Sequence, residues 1–154
     1  MSNPSLHFYD ASEPRNVPTG VHAAIYINGL YTWPLLERAR MGWIISISVL
    51  RDPAWARHAR VIDVETGAAR PEDVVPFIVR RKLEGYDDAT AYVNRSNWPT
   101  VRALVENAGL TCRYWVATLD GTDLPGAWAV QIQGGARAPY DLSILHGTDD
   151  FHRP

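Results

Sequence analysis

The stretch "RVIDVETGAARPEDVVPFIVRRKLEGYDDATAYVN", residues 60 to 94, decides the fold. It opens on a short apolar run, RVIDVE (60 to 65), breaks at a Gly turn, enters a helical pattern at Pro71 and closes on a second run, TAYVN (90 to 94). The middle segment carries two acids at its start, where the helix dipole favours them, and apolar residues at 74, 77 and 78 and at 75, 79 and 83. Pro76 lies inside it, so the regular helix is expected to begin there or to bend. A strand, a helix and a strand in succession imply a right-handed crossover between parallel strands. The first strand ends in Asp63 and Glu65, two apart and therefore pointing the same way, with Val64 turned toward the helix layer.

The same kind of run recurs on both sides. LHFYD (6 to 10), AAIYIN (23 to 28), WIISISV (43 to 49), CRYWVATL (112 to 119), AWAVQIQ (127 to 133) and YDLSIL (140 to 145) bring the candidate strands to eight. TWPLLERARMG is a short helical pattern with Thr32 as its cap and Gly42 as its stop, and WPTVRALVENAGL places Val101, Leu104, Val105 and Ala108 on one face with Gly109 as C-terminal cap. RDPAWARHA supplies one helical turn, whereas ASEPRNVPTGVH reads as a loop. Eight strands with intervening helices suggest a closed α/β barrel, yet a full (β/α)8 barrel takes about 200 residues or more and this chain has 154. DGTDLPG and GGARAP are too short for helices. The expected fold is a small irregular TIM-like barrel of eight mostly parallel strands, missing several helices, especially after strands six to eight. It spans residues 1–147 as one domain, and residues 148–154, including His152, form a polar tail.

Composition narrows the function. With 46% hydrophobic residues the chain can bury a core of its own, and a net charge of -2 provides no general attraction for nucleic acid. No apolar run approaches a bilayer span, and the first ten residues lack the pattern of a signal peptide. The expectation is a chain made in the cytoplasm without membrane insertion. The single Cys112 permits no internal disulfide and reads as a packing residue. No HExxH spacing, no P-loop lysine and no GxSxG occurs, so metal, nucleotide and serine-hydrolase chemistry have no motif, and no cofactor is expected.

In a parallel barrel the reactive groups gather at the C-terminal ends of the strands. Asp10 closes the first strand and Asp141 lies in the eighth, which neighbours the first in a closed barrel. Asp10, Asp63, Glu65 and Asp141 are thus candidates for one pocket. Crowded carboxylates raise one another's pKa, so one can stay protonated as a general acid while another stays ionised, as glycoside hydrolysis requires. Tyr92, Trp98, Trp115 and Trp128 are candidate stacking surfaces for sugar rings, and Gln131 and Gln133 candidate hydrogen-bonding partners for hydroxyl or acetamido groups. Each has a plainer reading: core packing for the aromatic residues, capping or ion pairing for the acids.

The order FYDAS, VIDVETG, AYVNRSNWP, YWVATL, AWAVQIQ and YDLSILHG resembles the glycoside hydrolase family 25 lysozymes, the N-acetylmuramidases, or a related glycoside-hydrolase-like barrel, over almost the whole chain. The resemblance implies an irregular barrel lacking its last helices and cleavage of the β-1,4 bond between N-acetylmuramic acid and N-acetylglucosamine in peptidoglycan, without metal. It implies Glu65 as general acid, Asp63 as the carboxylate supporting the acetamido group or the oxocarbenium-like transition state, and Asp10 and Asp141 as groups that tune and orient them. The second strand departs from that family in AAIYINGLYTWP, which lacks the Lys and Glu-Gly common there. A cell-wall hydrolase, acting at the bacterial wall after release or within a virion, is one function class. The other is a non-catalytic glycan-binding or structural barrel in a larger assembly such as a phage tail.

Overall fold

The computed structural model describes residues 6–134 and 138–147; the proposed tail 148–154 lies outside them. Its strands are β1 (Leu6–Asp10), β2 (His22–Tyr26), β3 (Trp43–Ser48), β4 (Val61–Val64), β5 (Thr90–Asn94), β6 (Arg113–Ala117), β7 (Ala129–Gln133) and β8 (Asp141–Leu145). Each falls within a residue of one of the eight apolar runs. They close in sequence order into a barrel. The six pairings from β1 to β7 are parallel. β8 runs antiparallel to both β7 and β1.

The molecule is therefore a closed eight-stranded barrel of mixed pairing with few helices; the expected closure and shortage of helices are seen, and the departure from the expected pairing is the reversed β8. The reversal of β8 has a simple cause. A parallel return requires a crossover of about a dozen residues or more, and only residues 134–140 separate β7 from β8.

Three α-helices occur among the described residues: α1 (Leu35–Ala39), α2 (Val74–Leu83) and α3 (Trp98–Asn107). α1 is a single short turn entered from Pro34, and Thr32 does not cap it; its hydroxyl donates to the Gly29 carbonyl instead, at 2.8 Å. Gly42 is needed for close approach rather than as a stop, since a Cβ there would lie 2.5 Å from the Gly20 carbonyl oxygen. Pro76 neither starts nor breaks α2. A 3-10 turn at Pro71–Asp73 leads straight into the helix, and Pro76 occupies its first turn, where the backbone N–H has no intrahelical acceptor to lose. Gly109, at φ 69°, ends α3 as expected. No helix among the described residues is long and apolar enough to cross a membrane.

Period-two alternation along the strands builds two apolar layers. Ile62, Val64, Ala91, Val93, Val116 and Val130 face outward and pack under Val74, Phe77 and Ile78 of α2 and Val101 and Val105 of α3. Phe8, Ile45, Val61, Trp115, Ala129 and Leu145 form the inner cluster. Phe8 meets Trp115 edge-on at 5.0 Å between ring centres. The Trp115 indole N–H donates to Ser143 Oγ at 3.0 Å, so the one polar atom of this buried ring is satisfied. The barrel is thus plugged by side chains over its lower part.

Candidate active site

Two residues further along the strands from that plug, the inner face turns polar. Asp10 follows Phe8 on β1, Asp63 follows Val61 on β4, and Gln131 follows Ala129 on β7, with Tyr26 and Tyr92 added from β2 and β5. Because β8 is reversed, its first residue also lies at this end. Asp141 stands directly opposite Asp10 in the β1–β8 register. Had β8 been parallel, Asp141 would have started at the far end of the barrel.

Glu65 lies just beyond β4. The chain turns at once behind it, with Ala68 N–H donating to the Glu65 carbonyl and Ala69 N–H to the Asp63 carbonyl, both at 3.0 Å. Gly67 supplies the left-handed residue of that turn, at φ 88°. Glu65 is consequently exposed, while Asp63 beside it is only 1% exposed and Asp10 only 2%.

These carboxyls bond to each other. Asp63 hydrogen-bonds Glu65, and Asp10 hydrogen-bonds Asp141. One Oδ1 of Asp10 and one of Asp63 are buried with no hydrogen-bond partner. A buried ionised carboxylate without donors is costly, so this arrangement favours retained protons. Burial pushes the Asp63 carboxyl up to about 8, and the Glu65 charge adds to the effect. Burial likewise raises Asp10, helped by the charges of Asp141, Asp63 and Glu65. Glu65 is raised by burial and by the charge of Asp141, but the hydrogen bond from Asp63 acts in the opposite direction. Within the pair the proton therefore resides on Asp63, and Glu65 accepts from it. Burial and the same carboxylates push the Tyr26 and Tyr92 hydroxyls upward, which keeps both as donors. Tyr92 Oη donates to Gln131 Oε1 at 2.6 Å.

The acids open onto a cleft of about 660 Å³. Asp63, Glu65 and Asp141 reach it, and Tyr26, Tyr31 and Tyr140 stand in its walls. Tyr140 is braced edge-on by Tyr9 at 5.0 Å, and Tyr31 lies 6.4 Å from Tyr26. The Leu30–Tyr31 side is fixed from below. Asn28 donates to Ser48 Oγ at 2.8 Å and accepts from Val49 N–H at 2.9 Å, and Gly29 turns the chain at φ 80°.

Four expected acids are thus brought together, but most of the expected sugar contacts are not. Trp115 is core. Trp128 is buried beside Phe8 and Arg113 near the start of β7, at the end of the barrel away from the cleft. Trp98 sits on α3 against Tyr114. None of the three lines the cleft, because their positions belong to the inner plug, the closed end and the outer helix layer. Gln131 is buried and engaged by Tyr92, and Gln133 is exposed at the strand end without lining the cleft. Tyr92 lies below the acids, in contact with Trp115. The aromatic walls come instead from Tyr26, Tyr31 and Tyr140. Tyr26 had a detectable signal, since it falls on the same alternation of β2 as the inward Ala24; Tyr31 and Tyr140 are loop residues placed by turns.

No protein-family model, no curated protein and no solved structure gives a significant match to this chain.

Proposed function

We propose that the barrel is a trimmed relative of the (β/α) glycosidases and hydrolyses the β-1,4 bond between N-acetylmuramic acid and N-acetylglucosamine in peptidoglycan. The observation that carries the reading is a buried carboxyl, Asp63, hydrogen-bonded to an exposed one, Glu65, at the floor of an open cleft. Acid-catalysed glycoside cleavage requires one protonated and one ionised carboxyl beside the scissile bond, and this pair supplies both states.

In the proposed cycle the resting proton lies on Asp63. A sugar chain seated in the cleft excludes water from Glu65, and the proton moves along the hydrogen bond to Glu65, which delivers it to the departing glycosidic oxygen. Asp63 is left ionised beside the anomeric centre and stabilises its developing positive charge, with the substrate's acetamido oxygen attacking that carbon. Water then opens the cyclic intermediate and returns its proton to the pair. Asp10 and Asp141 share a second proton and hold the field around Glu65. The Tyr26, Tyr31 and Tyr140 rings offer stacking surfaces, and the Tyr26 hydroxyl, kept protonated, offers a donor.

Glu65→Gln keeps the side-chain shape and removes the transferable proton. Release of reducing ends from purified peptidoglycan should fall by about 10²-fold or more in that variant while its circular dichroism matches the parent. A parent protein inert on several wall types would instead support the non-catalytic glycan-binding or structural role.

A further inference from the structure

We infer that the cleft takes amino-sugar chains that carry an alkyl or acyl chain at one end, with the sugars over the acids and the lipid chain on a leucine lip beside them. The inference rests on the glycan reading above and specifies its substrate class. The cleft has a polar floor, at Asp63, Glu65 and Asp141, and an apolar side, at Leu30, Tyr31 and Val49. Leu30 is 88% exposed and Tyr31 50%. The apolar surface continues outward from them: Leu35 and Leu36 at the start of α1 are exposed, and so is Leu50 beside Val49. Single exposed leucines are ordinary, but a group of them at the edge of a cleft marks a binding surface.

The lip is braced. Gly29 packs so closely on Val49 that a Cβ there would lie 2.3 Å from Val49 Cγ2, which sets the Leu30 turn against the Val49 segment. The Thr32 hydroxyl donates to the Gly29 carbonyl at 2.8 Å. Trp33, buried at the base of the lip, donates its backbone N–H to the Tyr26 carbonyl and its indole N–H to the Ala11 carbonyl, both at 2.9 Å. Tyr26 and Ala11 line the cleft, so the start of α1, two residues past Trp33, is tied to the same rim. The Arg38 guanidinium closes the turn on the Trp33 carbonyl at 2.8 Å. Leu30 and Tyr31 belong both to the cleft and to the lip, and this continuity decides the occupant. A second protein seated on the leucines would cover two residues of the cleft wall, whereas a ligand that leaves the cleft across them uses both surfaces at once. A bare sugar chain gains little from aliphatic side chains beyond the cleft, while each methylene laid on them leaves water.

Two tetrasaccharides of N-acetylglucosamine with sulfur in place of the glycosidic oxygen, which resist cleavage, test the inference by calorimetric binding below the micelle concentration. One carries a methyl aglycone and the other an octyl aglycone. The octyl compound should bind on the order of tenfold more tightly than the methyl one. Leu35→Ser combined with Leu36→Ser changes two exposed positions outside the cleft wall. It should remove most of that gain and leave the affinity for the methyl compound unchanged. Equal binding of the two compounds, or an octyl gain that survives the double substitution, would overturn the inference while leaving the glycan reading intact. Octyl glucoside binding as tightly as the octyl tetrasaccharide would overturn it too, since the lip would then be a lipid-surface contact independent of the cleft. Sedimentation of the free protein completes the test: self-association lost in the double variant would assign the lip to a second copy of the chain instead. If neither tetrasaccharide binds, the glycan reading fails and the inference fails with it.

Discussion

Asp63 shows what a buried carboxyl costs the fold, and under the proposed mechanism that cost would serve the chemistry. In an unfolded chain its carboxyl titrates near the ordinary value of about 3.9, whereas in the barrel burial and Glu65 push it up to about 8. Between those values the folded state holds a proton that the unfolded state has lost. The contribution of this group is therefore fully present below the unfolded value and is lost as pH rises through the folded one. Asp63→Asn removes the need for that proton. At pH 7 the variant should be more stable by about 1–3 kcal/mol, less than the roughly 4 kcal/mol implied by protonation alone because the new amide N–H groups also need partners. Thermal melts should show the gain as about 2–4 °C per kcal/mol, shrinking as pH approaches 4, with peptidoglycan turnover abolished. A lower melting temperature at pH 7 would show that the buried carboxyl is satisfied by something other than a retained proton. Asp63 and Glu65 were legible as a pair because a period of two puts both on one face. Their unequal burial was not, since it depends on the turn behind Glu65.

At the level of elements, the β7–β8 hairpin places the fourth acid. β7 carries an irregularity between Gln131 and Gln133 where it pairs with β8, and Gly134 follows immediately. A Cβ on Gly134 would come within 2.1 Å of Asp141 Oδ1 and 2.5 Å of Gln131 Nε2. The missing side chain is thus the space that the Asp141 carboxyl occupies. Gly134→Ala should cost about 1–3 kcal/mol through overpacking and move Asp141 away from Asp10. Carbon NMR titration of the carboxyls would report that movement as a downward shift of Asp10 and Glu65, both of which the Asp141 charge raises. Gly126→Ala, where a Cβ meets nothing within 4 Å, provides the control. The strands themselves were legible from short apolar runs between turn residues, and α2 and α3 from their helical periodicity. α1 was overread: its pattern is shared with a tight loop, and Leu35 and Leu36 remain 76% and 84% exposed.

Across the whole molecule, the barrel divides into a dry plug and a wet mouth. Phe8 lies at the centre of the plug, fully buried against Trp115 and Trp128. Its inner neighbours come from strands spread around the ring, so the acids above depend on it for their spacing. Phe8→Ala should cost about 3–5 kcal/mol in urea denaturation. Trp98→Phe, a smaller change on the outer face, should cost less. The expectation that tryptophans line the mouth failed at this scale. A large aromatic ring at an inward strand position fills the barrel when it lies low on the strand and borders the cleft only when it lies high, and strand height is set by barrel stagger.

The alternation of apolar and polar residues by itself determined the eight strands, the two longer helices and the shared direction of Asp63 and Glu65, because these follow from local geometry of period 2 and 3.6. Only the tertiary structure decided that β8 runs backward, that Asp141 thereby meets Asp10, and that Tyr31 and Tyr140 rather than the tryptophans wall the cleft. Those outcomes depend on how closure of the ring sets the height and direction of each strand, a constraint shared among residues far apart in the chain.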